Sequence, residues 1–188
     1  FTRCTGLDPF IDEAIEYPAL ELRIHACALT EFSARDLTFD LIMLHHSLEH
    51  MPDQHEVLRN VRNLLARRGT VLVRIPVADS QAYREYGADW YNLDPPRHLY
   101  LHSRESLGRA AAANGLSIVH VDYDSTASQF EVSELYARDI AANESHPDRA
   151  DVEARHDEFA RRAKAVNASE QGDMAVFYLR HAESGPNQ

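Results

Sequence analysis

Four side chains able to carry protons crowd one short stretch, His45-His46-Ser47-Leu48-Glu49-His50, directly behind an apolar run over 39–45. An imidazole with an ordinary pKa of about 6.5 takes up and returns a proton near neutral pH, so His46 and His50 are candidate bases toward an acceptor hydroxyl or amine. The alternative is structural: Glu49 and His50 cap a helix start and line a pocket. The same stretch holds metal-ligating types. It lacks the H-E-x-x-H spacing, however, and side chains as close in sequence as His45 and His46 point apart at a strand end, so no metal is expected. A second group gathers around Pro95-Pro96: Trp90, Tyr91, Arg97, His98 and Tyr100. Here His98 is a third proton-transfer candidate. Trp90 and Tyr91 offer apolar walls to a small-molecule ligand, and Arg97 and Tyr100 offer polar contacts. Equally, the segment is a loop packed on its own aromatics, with Arg97 paired to Asp94. A third feature is Asp8 in Gly6-Leu7-Asp8-Pro9, a carboxylate able to accept two hydroxyl donors together or to shape a turn.

Side chains at strand ends are useful only if a sheet holds them in one place. Apolar runs at 2–7, 22–29, 39–45, 70–75, 116–123 and 174–179 read as strands, and helical periodicity lies between most of them. The run FDLIMLH is nearly continuous, as for a strand buried on both faces. After Pro52, the residues Val57, Leu58, Val61, Leu64 and Leu65 predict an amphipathic helix over 53–66, closed by Arg67-Arg68 and a left-handed Gly69. Ser103 caps a further helix that stops at Asn114-Gly115. Two more helices are expected over 130–142 and 149–167. The fold class is therefore α/β, a Rossmann-like, mostly parallel sheet with an antiparallel last strand and flanking helices. One domain over 1–182 carries an aromatic loop at 78–101 and a helical insertion at 124–171, followed by a frayed tail at 183–188. The insertion is long enough to cover an acceptor site or to build a homodimer surface.

Composition narrows the classes of partner. The chain has 188 residues and a formal net charge of -11. Such acidity disfavours nucleic acid and anionic membrane surfaces, both of which want clustered cations. No apolar run reaches the roughly 20 residues of a membrane span, and the isolated Cys4 and Cys27 fit a reduced, cytoplasmic protein. The seven glycines stand singly, so neither G-x-G-x-x-G nor a Walker loop is present.

Gly6-Leu7-Asp8-Pro9, Phe39-Asp40-Leu41-Ile42 running into His45-His46-Ser47-Leu48-Glu49-His50-Met51, LLARRGTVLVRIP and Asp94-Pro95-Pro96-Arg97-His98-Leu99-Tyr100 together resemble a class I S-adenosylmethionine-dependent methyltransferase. The resemblance implies that the family's first strand and Gly-rich loop precede Phe1, so the chain is expected to lack its N-terminal piece. A gap at the sheet's centre would leave two half-sheets with unpaired edges, so two alternatives stand: the natural chain is longer, or residues 2–7 are recruited into a shorter sheet. The resemblance also implies S-adenosylmethionine as cofactor, held by Asp8 and Pro9 at the ribose, by Leu29 at the adenine, and by His45 and His46. At 28–29 the family usually has an acid or amide, and Ala28-Leu29 stands there instead. The activity implied is O- or N-methylation of a small-molecule acceptor. A non-catalytic methyltransferase-like scaffold and a metal-dependent hydrolase built on the histidine cluster are the competing readings.

Overall fold

In the computed structural model, which describes residues 3–32 and 37–182, the strands sort into two sheets. The smaller contains β1 (Cys4–Leu7), β2 (Ile15–Tyr17) and β3 (Leu22–His25) in the order β1-β3-β2, with β1 and β3 parallel. The larger contains β4 (Phe39–His45), β5 (Leu65–Pro76), β6 (Leu116–Tyr123) and β7 (Met174–His181) in the order β4-β5-β7-β6. β4 lies parallel to β5, and β7 is antiparallel to both β5 and β6. Three strands thus share one direction and the last runs against them, as expected. The two sheets are separate, and β1 and β4 each have a ladder on one side only among the described residues.

Six α-helices among the described residues pack around these sheets. Asp53 starts α1 (Gln54–Leu64) by accepting the Glu56 N–H at 3.0 Å, and Val57, Leu58 and Val61 form its buried face. α3 (Arg104–Ala113) starts at Ser103, which exchanges capping hydrogen bonds with Ser106, and Gly115 follows its end at φ +74°. These two helices cover the larger sheet over a core of Leu44, Leu58, Val61, Val71, Val73, Leu107 and Phe177. A second core joins α2 (Gln81–Tyr86) to α4 (Ser128–Tyr136), α5 (Arg149–Glu153) and α6 (His156–Ala168) through Ala82, Trp90, Phe130, Leu135, Val152 and Phe159. Burying Phe130 and Phe159 contributes about 1.5–3 kcal/mol each, and the Arg162 guanidinium lies 3.9 Å above the Phe130 ring. The aromatic loop and the helical segment after residue 124 therefore share one core. No helix among the described residues is long and apolar enough to cross a membrane.

Several expected boundaries move. α1 ends at Leu64 because Leu65 is already extended, and Gly69 lies inside β5 rather than capping the helix. A Cβ there would meet the Phe39 carbonyl oxygen at 2.8 Å, at the irregularity where Phe39 pairs with Leu65 but Leu41 with Thr70. β4 is not buried on both faces: Leu44 is 6% exposed, whereas Met43 on this edge strand is 55% exposed. The strand expected over 22–29 ends at His25, α4 stops at Tyr136 short of 142, and the helix expected over 149–167 is broken into α5 and α6. Segment 78–101 holds α2 and two 3-10 turns, Gly87–Asp89 and Tyr91–Leu93, so it is irregular only in part. Thr2 and the tail at 183–188 lie outside the described residues.

Gly172 is where the second core meets β7. A Cβ at this position would stand 2.3 Å from Asn167 Oδ1 and 2.6 Å from Ser125 Oγ. Both side chains are committed: Asn167 bonds both backbone groups of Ser125, and Ser125 Oγ accepts the Met174 N–H at 2.8 Å. Gly172→Ala is expected to cost about 1–3 kcal/mol in urea unfolding, the usual range for overpacking. An unchanged midpoint would show that this junction yields freely.

Candidate active site

The chain leaves β4 through His46, a non-glycine residue at φ +49° whose N–H donates to the Arg74 carbonyl at 2.9 Å. A single 3-10 turn, Leu48–His50, then leads to α1. Arg74 reaches back from β5 to hydrogen-bond His46, while its Nε donates to Asp124 Oδ2 at 2.7 Å. A guanidinium can only donate, so Arg74 Nη1 gives its proton to His46 Nε2. The proton of a neutral His46 ring therefore sits on Nδ1, which faces Glu49 Oε1 at 3.4 Å. An ordered row results, Asp124–Arg74–His46–Glu49.

Burial first, and the Arg74 guanidinium second, pull the His46 pKa below its ordinary 6.5, against a weaker upward pull from Glu49. The unfolded chain then takes up this proton before the folded one. The His46 contribution to stability is complete above 6.5 and is lost as pH falls through the lowered folded value. Arg74→Gln is expected to raise the His46 pKa while leaving it below 6.5, because burial remains. Proton NMR titration of the His46 ring reads this directly, and an unmoved pKa would separate Arg74 from the histidine.

The aromatic loop is clasped onto the same turn. The Glu49 carbonyl accepts the N–H groups of Leu99 at 2.8 Å and Tyr100 at 3.3 Å, His50 Nδ1 bonds the Arg97 carbonyl at 2.8 Å, and the Tyr100 hydroxyl donates to the Pro52 carbonyl at 2.8 Å. The fold thus brings His46, His50 and His98 to one place, with the His50 and His98 ring centres 5.0 Å apart. Arg97 is engaged by Asp94 through two nitrogens, at 2.6 and 3.1 Å, and its side chain is largely exposed. Tyr91 is half-buried, and burial followed by the nearby Asp173 pushes its hydroxyl up to about 12, so it stays neutral. Tyr100 is partly exposed and stacks on His102.

Trp90 requires correction. It is 1% exposed, and its indole N–H donates to Asp173 Oδ2 at 3.0 Å. That makes it a core anchor of the loop and removes it from the walls of any ligand site in this conformation. Asp173 was not singled out from sequence, nor was Arg74. An arginine within the apolar run TVLVRI was the available sign of the second, since a charge in such a strand needs a partner.

Asp8 follows β1, half-buried, with its N–H on the His25 carbonyl at 3.0 Å and its Oδ1 accepting the Phe10 N–H at 2.9 Å; Pro9 is exposed in the same turn. Leu29 packs against the larger core, and the Ala28 N–H is taken by Glu31 Oε2 at 3.0 Å. No hydrogen bond or ion pair among the described residues joins Asp8 to His45 or His46. Instead His25 stacks edge-on against Phe32 at 5.2 Å, and Phe32 meets Phe39, the first residue of β4, at 6.5 Å. His45, edge-on to His46 at 4.9 Å, closes the other end of that strand.

A family model described as a methyltransferase domain matches residues 1–121. The chain belongs to that methyltransferase family. No curated protein matches the sequence. Among solved structures, this methyltransferase domain is similar to a Thermotoga maritima SAM-dependent methyltransferase described as a possible histamine N-methyltransferase, at 15% identity and TM-score 0.55 over 94% of this chain and 72% of that one. It is also similar to the Burkholderia thailandensis 1,6-didemethyltoxoflavin-N1-methyltransferase bound to S-adenosylhomocysteine, at 14% identity and TM-score 0.52 over 96% of this chain and 62% of that one. The [4+2]-cyclase SpnF matches at 19% identity and TM-score 0.54 over 96% of this chain and 66% of that one. At such identities the likeness concerns fold. The chain spans 36% to 72% of the length of the solved structures compared.

Proposed function

We propose that this domain transfers a methyl group from S-adenosylmethionine to the oxygen or nitrogen of a small-molecule acceptor. The observation that carries the reading is the clasp of loop 97–100 onto the turn after β4, which sets His50 and His98 side by side at the carboxyl end of a strand, where open α/β sheets hold ligands. Asp8 fits the cofactor ribose: its Oδ2 makes no hydrogen bond to a described residue, and a carboxylate suits hydroxyl donors. Pro9 shapes that turn, Leu29 offers its backbone and apolar side chain to the adenine, and His45 and His46 border the cofactor side.

Bound there, S-adenosylmethionine supplies a methyl carbon on a sulfonium, open to direct displacement. The chain's own work is to orient the acceptor and take its proton, and His50 or His98 holds that role through Nε2. Tyr91, Arg97 and Tyr100 frame the acceptor side. The acidic surface and isolated cysteines fit a small metabolite in a reducing, cytoplasmic setting.

One observation favours the scaffold reading. Arg74 occupies the lone pair of His46, so that ring takes no further proton without rearrangement. Calorimetry with S-adenosylmethionine and S-adenosylhomocysteine tests the proposal on the full chain. Saturable binding of both is expected, and heat from neither overturns it.

A further inference from the structure

The Glu49 carboxylate has no task in methyl transfer, yet it is 1% exposed and neither of its oxygens has a hydrogen-bond partner among the described residues. Its nearest basic neighbour, His46, is turned toward it at 3.4 Å. Buried charge of this kind calls for a cation or a donor. One donor atom from each of Glu49, His50 and His98 lies within 4.8 Å of the other two.

The tautomers of the two imidazoles follow from their partners. His50 Nδ1 bonds the Arg97 carbonyl at 2.8 Å, and His98 Nδ1 bonds the Asn92 carbonyl at 2.7 Å. A carbonyl only accepts, so both rings carry a proton on Nδ1, and a neutral ring then keeps its lone pair on Nε2. An N–H···O=C bond on the far nitrogen is the arrangement that orients metal-bound histidines.

We infer that Glu49, His50 and His98 form a site for one divalent transition-metal ion of the zinc type. Two imidazoles and one carboxylate suit such an ion, whereas calcium and magnesium take oxygen ligands. Three protein ligands leave a coordination position open to a further oxygen or nitrogen. Asp94, with Oδ2 at 3.8 Å from His98 Nε2, is held by Arg97 and stays outside the ligand set. His45 and His46, whose rings meet edge-on at 4.9 Å rather than pointing apart as expected, lie outside this ligand set. In a tetrahedral site, donors bound at roughly 2.0–2.2 Å stand about 3.3–3.6 Å apart. Donors as far as 4.8 Å apart therefore draw together by up to about 1.5 Å on loading, and the exposed His50 side chain can supply that movement. A loaded ion occupies the Nε2 lone pairs assigned above to the proton acceptor, so the base role belongs to the ion-free chain; cofactor binding near Asp8 is a separate event, and the calorimetric tests of the two sites fail separately.

The test uses the full chain stripped with EDTA and titrated with Zn²⁺ by calorimetry, with Co²⁺ absorption as a spectroscopic reporter. One Zn²⁺ per chain and visible cobalt bands are expected. His50→Ala and His98→Ala should each weaken Zn²⁺ tenfold or more, as should Glu49→Gln, while His120→Ala, at an exposed imidazole beside Asp122, binds as the parent does. His50 is exposed, so its alanine variant reports on coordination with the fold intact, and far-UV circular dichroism verifies this. Absence of stoichiometric Zn²⁺ in the folded parent overturns the site. Undiminished binding in folded His50→Ala and His98→Ala overturns it as well.

Discussion

Replacing Asp173 by alanine is expected to lower stability by about 2–6 kcal/mol, since two buried donors lose their acceptor at about 1–3 kcal/mol each. Asp173 is 2% exposed, and its Oδ2 accepts the Trp90 indole at 3.0 Å and the Asn92 amide at 2.8 Å. For a chain of this size the loss corresponds to a melting temperature lower by roughly 10 °C. Trp90 is the one tryptophan, so its emission reports the same event as a shift to longer wavelength. Asp173→Asn keeps an acceptor oxygen and is expected to recover part of the loss. The effect reaches the site, because the Asn92 carbonyl holds the His98 ring. A parent-like melt with unshifted Trp90 emission would show that the aromatic loop is anchored elsewhere.

Asp8→Ala is expected to weaken S-adenosylmethionine by about tenfold to a hundredfold. A hydrogen bond to a charged group contributes about 1.5–3 kcal/mol, and each 1.4 kcal/mol is about tenfold in affinity. The melting temperature should hardly move, since the Asp8 side chain bonds only the Phe10 N–H within the described fold. Asp8→Asn should fall between the two. Unchanged calorimetric affinity in Asp8→Ala would remove this residue from the cofactor site. That outcome would agree with the aromatic contacts that lead from His25 through Phe32 to the start of β4 rather than to its end at His45.

Legibility in the sequence followed the physics of each signal. β4 and β6 lie where their apolar runs place them, and Ser103 and Gly115 bound α3 because capping and left-handed turns are local chemistry. Arg67-Arg68-Gly69 misled, since cations and a glycine mark a helix end and a strand irregularity alike; the Phe39 carbonyl, thirty residues earlier, decides which. The histidines were visible as chemistry. Their juxtaposition was not, because His50 and His98 meet through backbone bonds that depend on how loop 97–100 folds. Trp90 failed for a related reason: an aromatic in an irregular segment serves a ligand or a core equally well until its partner, Asp173, is known.

The one-sided ladder of β4 has a consequence for deuterium uptake. Successive amides along a strand point to opposite neighbours, so every second N–H of β4 is tied to β5 and the ones between look outward. Isotope incorporation residue by residue should therefore alternate fast and slow from Phe39 to His45. Over 71–74 of β5, which is laddered on both sides, it should be uniformly slow.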